Sequence, residues 1–209
     1  MSMKKTGPAY TIRTRRLILR CWTPVDAPAL HAAVEESRGH LAEWMPWAAG
    51  SPEKLQAVID RIRHWQGEFN LGIDFVYGIF NLDESRVLGG AGLHTRRGDK
   101  VREIGYWIHR DHINQGLATE TAAALARVAF EIDCVQRVEI HCDPENVRSA
   151  AVPRKLGFVH EATLRRRVVD STGNLRDSML WTLLDDEYPG SPASRAQIEA
   201  FDAMYRSIL

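Results

Sequence analysis

The chain lacks an even set of cysteines, a net charge and any long apolar run, and each absence removes a class of protein. Its three cysteines, Cys21, Cys134 and Cys142, make an odd count without metal-ligand spacing. That pattern points to reduced thiols in a cytoplasmic protein and away from a disulfide framework. Lys and Arg number 27 and Asp and Glu 27, so overall charge favours neither nucleic acid nor an anionic membrane as partner. No uninterrupted apolar stretch reaches spanning length, and Met1 to Tyr10 carries no signal-peptide pattern. Internal repeats and low-complexity tracts are missing as well. What remains is 209 residues, 44% of them hydrophobic, with six tryptophans. That is enough to bury one sizeable core, and the length favours a single domain over two.

Apolar periodicity orders the elements. Leu17 to Trp22 reads as a strand, and Thr23-Pro24 with Asp26 starts a helix running to about Arg38. Leu41 to Trp47, with two Trp and a Met around Pro46, is expected to form a rigid aromatic connection. Ser51-Pro52 repeats the cap-plus-proline signal ahead of a stripe of Leu55, Val58, Ile59, Ile62, Trp65 and Phe69, closed by Gly72. Ile73 to Asn81, Val87 to Thr95 and Val101 to Ile108 read as antiparallel strands. Later come a strand at Arg137 to Asp143, a short helix at Val147 to Leu156 closed by Gly157, and a hairpin of Phe158 to Val169 with Leu175 to Leu184. A helix is expected over Ala193 to Ile208. The fold class this order implies is mixed α/β, a mostly antiparallel central sheet flanked by helices, with a core over about 15–184 and a C-terminal extension over 185–209.

The stretch from Glu103 to Ile132 organises the rest. Its alternating start is a strand, and Leu117, Thr121, Ala124, Leu125, Val128 and Ile132 then fall at helical spacing. The polar loop Arg110 to Gln115 between them delivers Gly116 at the helix start, where no side chain blocks the backbone. Unpaired first-turn amides and the helix dipole suit that turn to an anion such as a pyrophosphate.

Gly116-Leu117-Ala118 resembles the second half of the Gln/Arg-x-x-Gly-x-Gly/Ala motif with which the GNAT N-acetyltransferases bind acetyl-CoA. Ile113 stands where Gln or Arg is usual and Asn114 where a further Gly is frequent. Ala118-Thr119-Glu120 is similar to the ribosomal-protein N-acetyltransferase branch, and Asn146-x-x-Ser149 followed by Lys155-Leu156-Gly157-Phe158 resembles a second signature of the family. The resemblance implies an acyl-CoA N-acyltransferase fold and an acetyl-CoA-dependent N-acetyltransferase. It implies a cofactor site of Ile108, His109, Arg110, Asn114, Gln115, Gly116, Leu117, Ala118, Thr119 and Asn146. A backbone N–H at Ile108 or its neighbour would polarise the thioester carbonyl, and Asn146 would flank the pantetheine arm.

Attack by an amine on a thioester needs a neutral amine, a stabilised oxyanion and a proton for the thiolate. An α-amine with a pKa near ~8 is roughly a tenth neutral at pH 7, whereas a lysine near ~10.4 is under a thousandth neutral. A peptide or protein N-terminus is therefore the first acceptor class and a small-molecule amine the second. A non-catalytic acyl-CoA-binding module is the reading from a different class. Glu103, on the strand leading to the acyl site, is the candidate base, and Ser149 the candidate proton donor. Relatives of the ribosomal-protein branch carry a Glu on the strand after the Lys-Leu-Gly-Phe signature, and Arg165 to Val169 has none. Trp44 and Trp47 are expected to wall the acceptor pocket. No metal is expected: His109-x-x-His112 and His141-Cys142-Asp143 are weak ligand patterns beside a cofactor-loop and a strand-end role. Nucleic acid and membrane are not expected as partners, and a homodimer is compatible with the sequence.

Overall fold

The computed structural model describes residues 7–209. Met1–Thr6, most of the stretch read for a signal peptide, lie outside the described residues. Strands β1 (Thr11–Arg13) and β2 (Ile18–Cys21) lead into helices α1 (Ala27–Leu41) and α2 (Leu55–Leu71). β3 (Phe75–Phe80), β4 (Val87–His94), β5 (Val101–Ile108), α3 (Leu117–Glu131), β6 (Arg137–Cys142) and α4 (Val147–Leu156) follow, and β7 (Val159–Val169), β8 (Leu175–Leu184) and β9 (Glu199–Phe201) complete the chain. All the strands join one sheet in the order β7-β8-β6-β5-β4-β3-β2-β1-β9, antiparallel except where β5 meets β6. The architecture is the mixed α/β sheet flanked by helices that the element order implied.

Local chemistry sets the helix ends. The backbone N–H and the hydroxyl of Thr23 both donate to the Asp26 carboxylate at 2.8 Å, which fixes one 3-10 turn before α1. Leu30, Ala33, Ser37 and Leu41 then make its buried stripe. Gly72 and Gly157 close α2 and α4 in the left-handed conformation, at φ 68° and 85°. The second cap expectation is corrected: α2 begins at Leu55 after Lys54, and Ser51-Pro52 stays in the preceding loop.

The C-terminal helix is corrected too. Ala193 to Ile208 forms part of a 3-10 turn, Pro192–Arg195, and then β9, which pairs with β1 from Thr11↔Phe201 to Arg13↔Glu199. β1 would otherwise present an edge of unpaired N–H and C=O groups, and a strand pairs those groups where a helix could only cover them. Ile12 and Ala200 are wholly buried as a result. The extension is therefore woven into the sheet.

Helices cover both faces. One core packs α3 and α4 against Ile104, Ile108, Val138 and Ile140, and a second lies between the sheet and α1 and α2, around Trp22, Leu30, Ile62 and Phe80. Among the described residues no helix is long and apolar enough to cross a membrane.

Candidate active site

The sheet opens at one place. β5 and β6 run parallel for three pairs, Val101↔Arg137 to Glu103↔Glu139, and no further. Beyond that point, among the described residues, β5 pairs only with β4, through Ile108↔Gly89, and β6 only with β8, through Cys142↔Met179. His109 donates its amide to Leu88 of the β4 side, so alternation along the strand turns the Tyr106 and Ile108 amides toward the opening. His40, in the last turn of α1, reaches the same point: its Nε2 lies 3.1 Å from the Ile108 carbonyl and must donate there. Nothing in the sequence linked residues 40 and 108.

The opening leads to the start of α3. Gly116 sits at φ 79° and Asn114 at φ 60°, both left-handed, and asparagine is a side-chain-bearing residue that tolerates this conformation where glycine is absent. The first bond back into the turn runs from the Glu120 amide to the Gly116 carbonyl at 3.0 Å. The amides of Leu117, Ala118 and Thr119 therefore have no acceptor within the helix. Arg16 adds a cation that the sequence reading missed. It donates to the Gln115 carbonyl at 3.0 Å and pairs with Glu120 at 2.7 Å, and Thr14 anchors the same carboxylate at 2.6 Å. Arg110 and Gln115 are exposed on this loop. His109 is buried beneath it, Nε2 lying 3.0 Å from Glu36 and Nδ1 accepting from the Asp111 amide at 3.2 Å. Glu36, His109 and Asp111 cluster closely, but both ring nitrogens are already engaged.

The other wall of the opening is α4. Asn146 caps it by accepting the Ser149 amide at 3.0 Å. The Ser149 hydroxyl lies 3.2 Å from the Tyr106 hydroxyl, which also reaches the Ser149 carbonyl at 3.3 Å, so a tyrosine on β5 spans the opening to the helix. Burial pushes the Tyr106 phenol above its ordinary value. Cys142, buried beside Ser149, is pushed up to about 11 by the same cause and stays a thiol.

Two clefts flank the opening on the α1/α2 face. The larger, about 560 Å³, is lined on the sheet by Gly90–Gly92 of β4 and Gly105–Trp107 of β5; the smaller, about 140 Å³, by His141 and Cys142 of β6, by Asp143 just after it and by Arg176–Ser178 of β8. The connection after α1 roofs both. Trp44 faces the smaller cleft over the Arg176 guanidinium, 5.2 Å from its ring, and Trp47 faces the larger, edge-on to Trp107 at 6.5 Å. Trp47 is 54% exposed and is not a core residue.

Residues 16–159 match the family described as Acetyltransferase (GNAT) domain. The chain belongs to the GNAT acetyltransferase family. Among its relatives is the [Ribosomal protein uS5]-alanine N-acetyltransferase of Escherichia coli (strain K12), 27% identical over 189 residues, covering 88% of this chain and 95% of the relative. A putative ribosomal N-acetyltransferase of Bacillus subtilis (strain 168) is 27% identical over 178 residues, covering 83% and 94%. A solved ribosomal L7/L12 alpha-N-protein acetyltransferase in complex with coenzyme A shares the fold at 21% identity and a TM-score of 0.74, covering 86% of this chain and 98% of that one. The chain is thus an acetyl-CoA-dependent N-acetyltransferase.

For a GNAT acetyltransferase the position of Glu103 is decisive. Only 6% exposed, it lies at the closed end of the opening beside Glu139, hydrogen-bonded by Arg96 and by Arg97, the latter at 2.9 Å. Burial alone would raise its pKa, but the two guanidiniums overturn that and hold it at about 2. The carboxylate is thus engaged as a counter-ion to the two guanidiniums, and it is roughly 17 Å of strand away from Ile108 at about 3.3 Å per residue. Glu139 is bound in the same network by Arg137 at 2.8 Å and by His141 at 3.0 Å. The strand after Phe158 does carry a glutamate: Glu161, exposed, at the bulge where β7 skips a residue against β8. Arg165 to Arg167 are exposed on the same strand.

Proposed function

We propose that the enzyme acetylates the α-amine of a peptide or protein N-terminus, with acetyl-CoA threaded through the opening between β5 and β6. The observation that carries this reading is the opening itself, bounded by unpaired β5 amides, the left-handed start of α3 and an acceptor cleft without a carboxylate base at its centre. On this reading the Leu117–Thr119 amides and Arg16 hold the pyrophosphate. The Ile108 or Tyr106 amide receives the developing oxyanion. The amine nitrogen forms its bond to the acyl carbon as the carbon–sulfur bond breaks, and the Ser149 hydroxyl, held by Tyr106, offers a proton to the sulfur. Relatives named as ribosomal-protein acetyltransferases favour a protein acceptor, and three free thiols suit a cytoplasmic setting.

The base passes from Glu103 to His141. His141 is the first residue past Glu139 on the same face of β6, and it lines the small cleft beside the opening. Its Nε2 donates to the Glu139 carboxylate at 3.0 Å, which leaves Nδ1 with its lone pair. An imidazole oriented by a carboxylate suits an amine that is already a tenth neutral.

Two measurements test the reading. Peptides with free N-termini are expected to gain one acetyl group at the α-amine by intact mass, while N-terminally blocked peptides with internal lysines react at least tenfold more slowly. Blocked lysine peptides or small amines winning that competition would hand the acceptor role to the second class. His141→Ala is expected to lower kcat about 10²-fold at pH 7 without changing the acetyl-CoA KM, with partial recovery on adding imidazole. The loss shrinks as pH rises and free amine becomes plentiful. Full activity of the variant across pH 6 to 9 removes His141 from the mechanism.

A further inference from the structure

The larger cleft is built to stay open and to stay neutral. Its floor is glycine. A Cβ on Gly90 would stand 2.6 Å from Nε1 of Trp107, and one on Gly92 would stand 2.1 Å from Nε2 of His94. With no side chains there, the Trp107 indole lies down across β4, leaving a volume of about 560 Å³ above the strands. The walls are apolar: Trp47 and Trp107 meet edge to face at 67°, and Trp65 and Val34 stand opposite.

The charges around the rim cancel within the chain. Arg38 pairs with Glu35 and also donates to the Ala48 carbonyl at 2.9 Å; Arg61 pairs with Glu53; and His94 Nδ1 lies 2.6 Å from Asp74. His31, the remaining titratable group of the lining, has its Nε2 2.8 Å from the Glu53 carbonyl. Among the described residues each lining charge thus has a partner, so an incoming charged group would lose its water without a free one to meet. A side chain as small as a methyl would leave most of the cleft wet. An aromatic ring would remove the exposed half of Trp47 from water and meet indole faces and edges.

From this we infer that the acceptor is an amine flanked by a bulky apolar side chain, aromatic above all. The inference rests on the α-amine reading and deepens it. The β5 residues that floor the cleft run directly into the opening, so a ring lodged against Trp47 and Trp107 leaves the amine at the thioester, with the smaller cleft on its far side.

The test is a series of tripeptides differing only in the first residue, Phe, Leu, Ala, Ser, Asp or Lys, each with a free α-amine. Phe is expected to exceed Ala at least tenfold in kcat/KM, mostly through KM, with Asp and Lys last. Trp47→Ala removes a wall and Gly90→Ala drives the Trp107 ring into the cleft, so each is expected to bring the Phe-to-Ala ratio toward one in a chain shown folded by its melting curve. A ratio near one in the unaltered enzyme, or preference for Ala, Ser or a charged residue, overturns the inference while leaving the α-amine reading intact. If no peptide reacts, that reading fails, and quenching of tryptophan fluorescence by phenethylamine against ethylamine still decides the cleft. Equal quenching by the two amines overturns it, and stronger quenching by phenethylamine that Gly90→Ala abolishes supports it.

Discussion

Gly116→Val is expected to weaken acetyl-CoA binding about 10- to 100-fold, or ~1.4 to ~2.8 kcal/mol, in a chain that still folds. The cause is conformation more than space. A Cβ at this position would meet only the end of Arg16, at 3.7 Å, an ordinary contact. The φ of 79° is the obstacle. A β-branched residue held there costs about 1 to 3 kcal/mol, so the turn relaxes and the Leu117–Thr119 amides lose their common aim. Gly116→Asn supplies the control, because asparagine tolerates the left-handed region, as Asn114 does two residues earlier. It is expected to bind within a few-fold of the unaltered enzyme. Calorimetry with acetyl-CoA gives the affinities and circular dichroism the fold; unchanged affinity in a folded Gly116→Val chain removes this turn from the coenzyme site.

Glu103→Gln is expected to damage stability and spare chemistry. Removing one partner of a buried ion pair costs about 3 to 5 kcal/mol, and the exposed arginine partners reduce that to about 2 to 3. At about 2 to 4 °C per kcal/mol for a chain of this size, the melting temperature falls by roughly 5 to 10 °C. The pH dependence has a definite sign. The folded carboxyl titrates at about 2, below its unfolded value near ~4.3, so its contribution is complete above that unfolded value and is lost as pH falls through about 2. The gap in melting temperature between Glu103→Gln and the unaltered chain is therefore full at pH 6 and closes toward pH 2. Activity at 25 °C is expected within a few-fold of normal. Loss of turnover in a variant that melts normally would return Glu103 to the chemistry.

Legibility in the sequence followed the range of the interactions. The left-handed start of α3 was readable because Gly116 and the apolar stripe behind it lie within one stretch of chain, and the Asn146 cap because its partner is three residues away. Glu103 reads as a base from its place on an acyl-site strand, and although Arg96 and Arg97 lie only seven and six residues back, their closing on it appears only once the turn before β5 is folded. The C-terminal strand was misjudged because β1, whose open edge it covers, lies nearly the whole chain away.

The sequence by itself determined the element order from β2 to β8, the glycine start of α3 and the family, since each is written in local spacing, caps and glycines. Only the tertiary structure decided where β5 and β6 part, that Tyr106 spans the opening to Ser149, that His141 rather than Glu103 faces a cleft, and that Trp44 and Trp47 divide between two clefts. The reason is physical: basicity, exposure and the shape of a cleft are set by groups that meet across the sheet. Their separation along the chain carries no trace of that meeting.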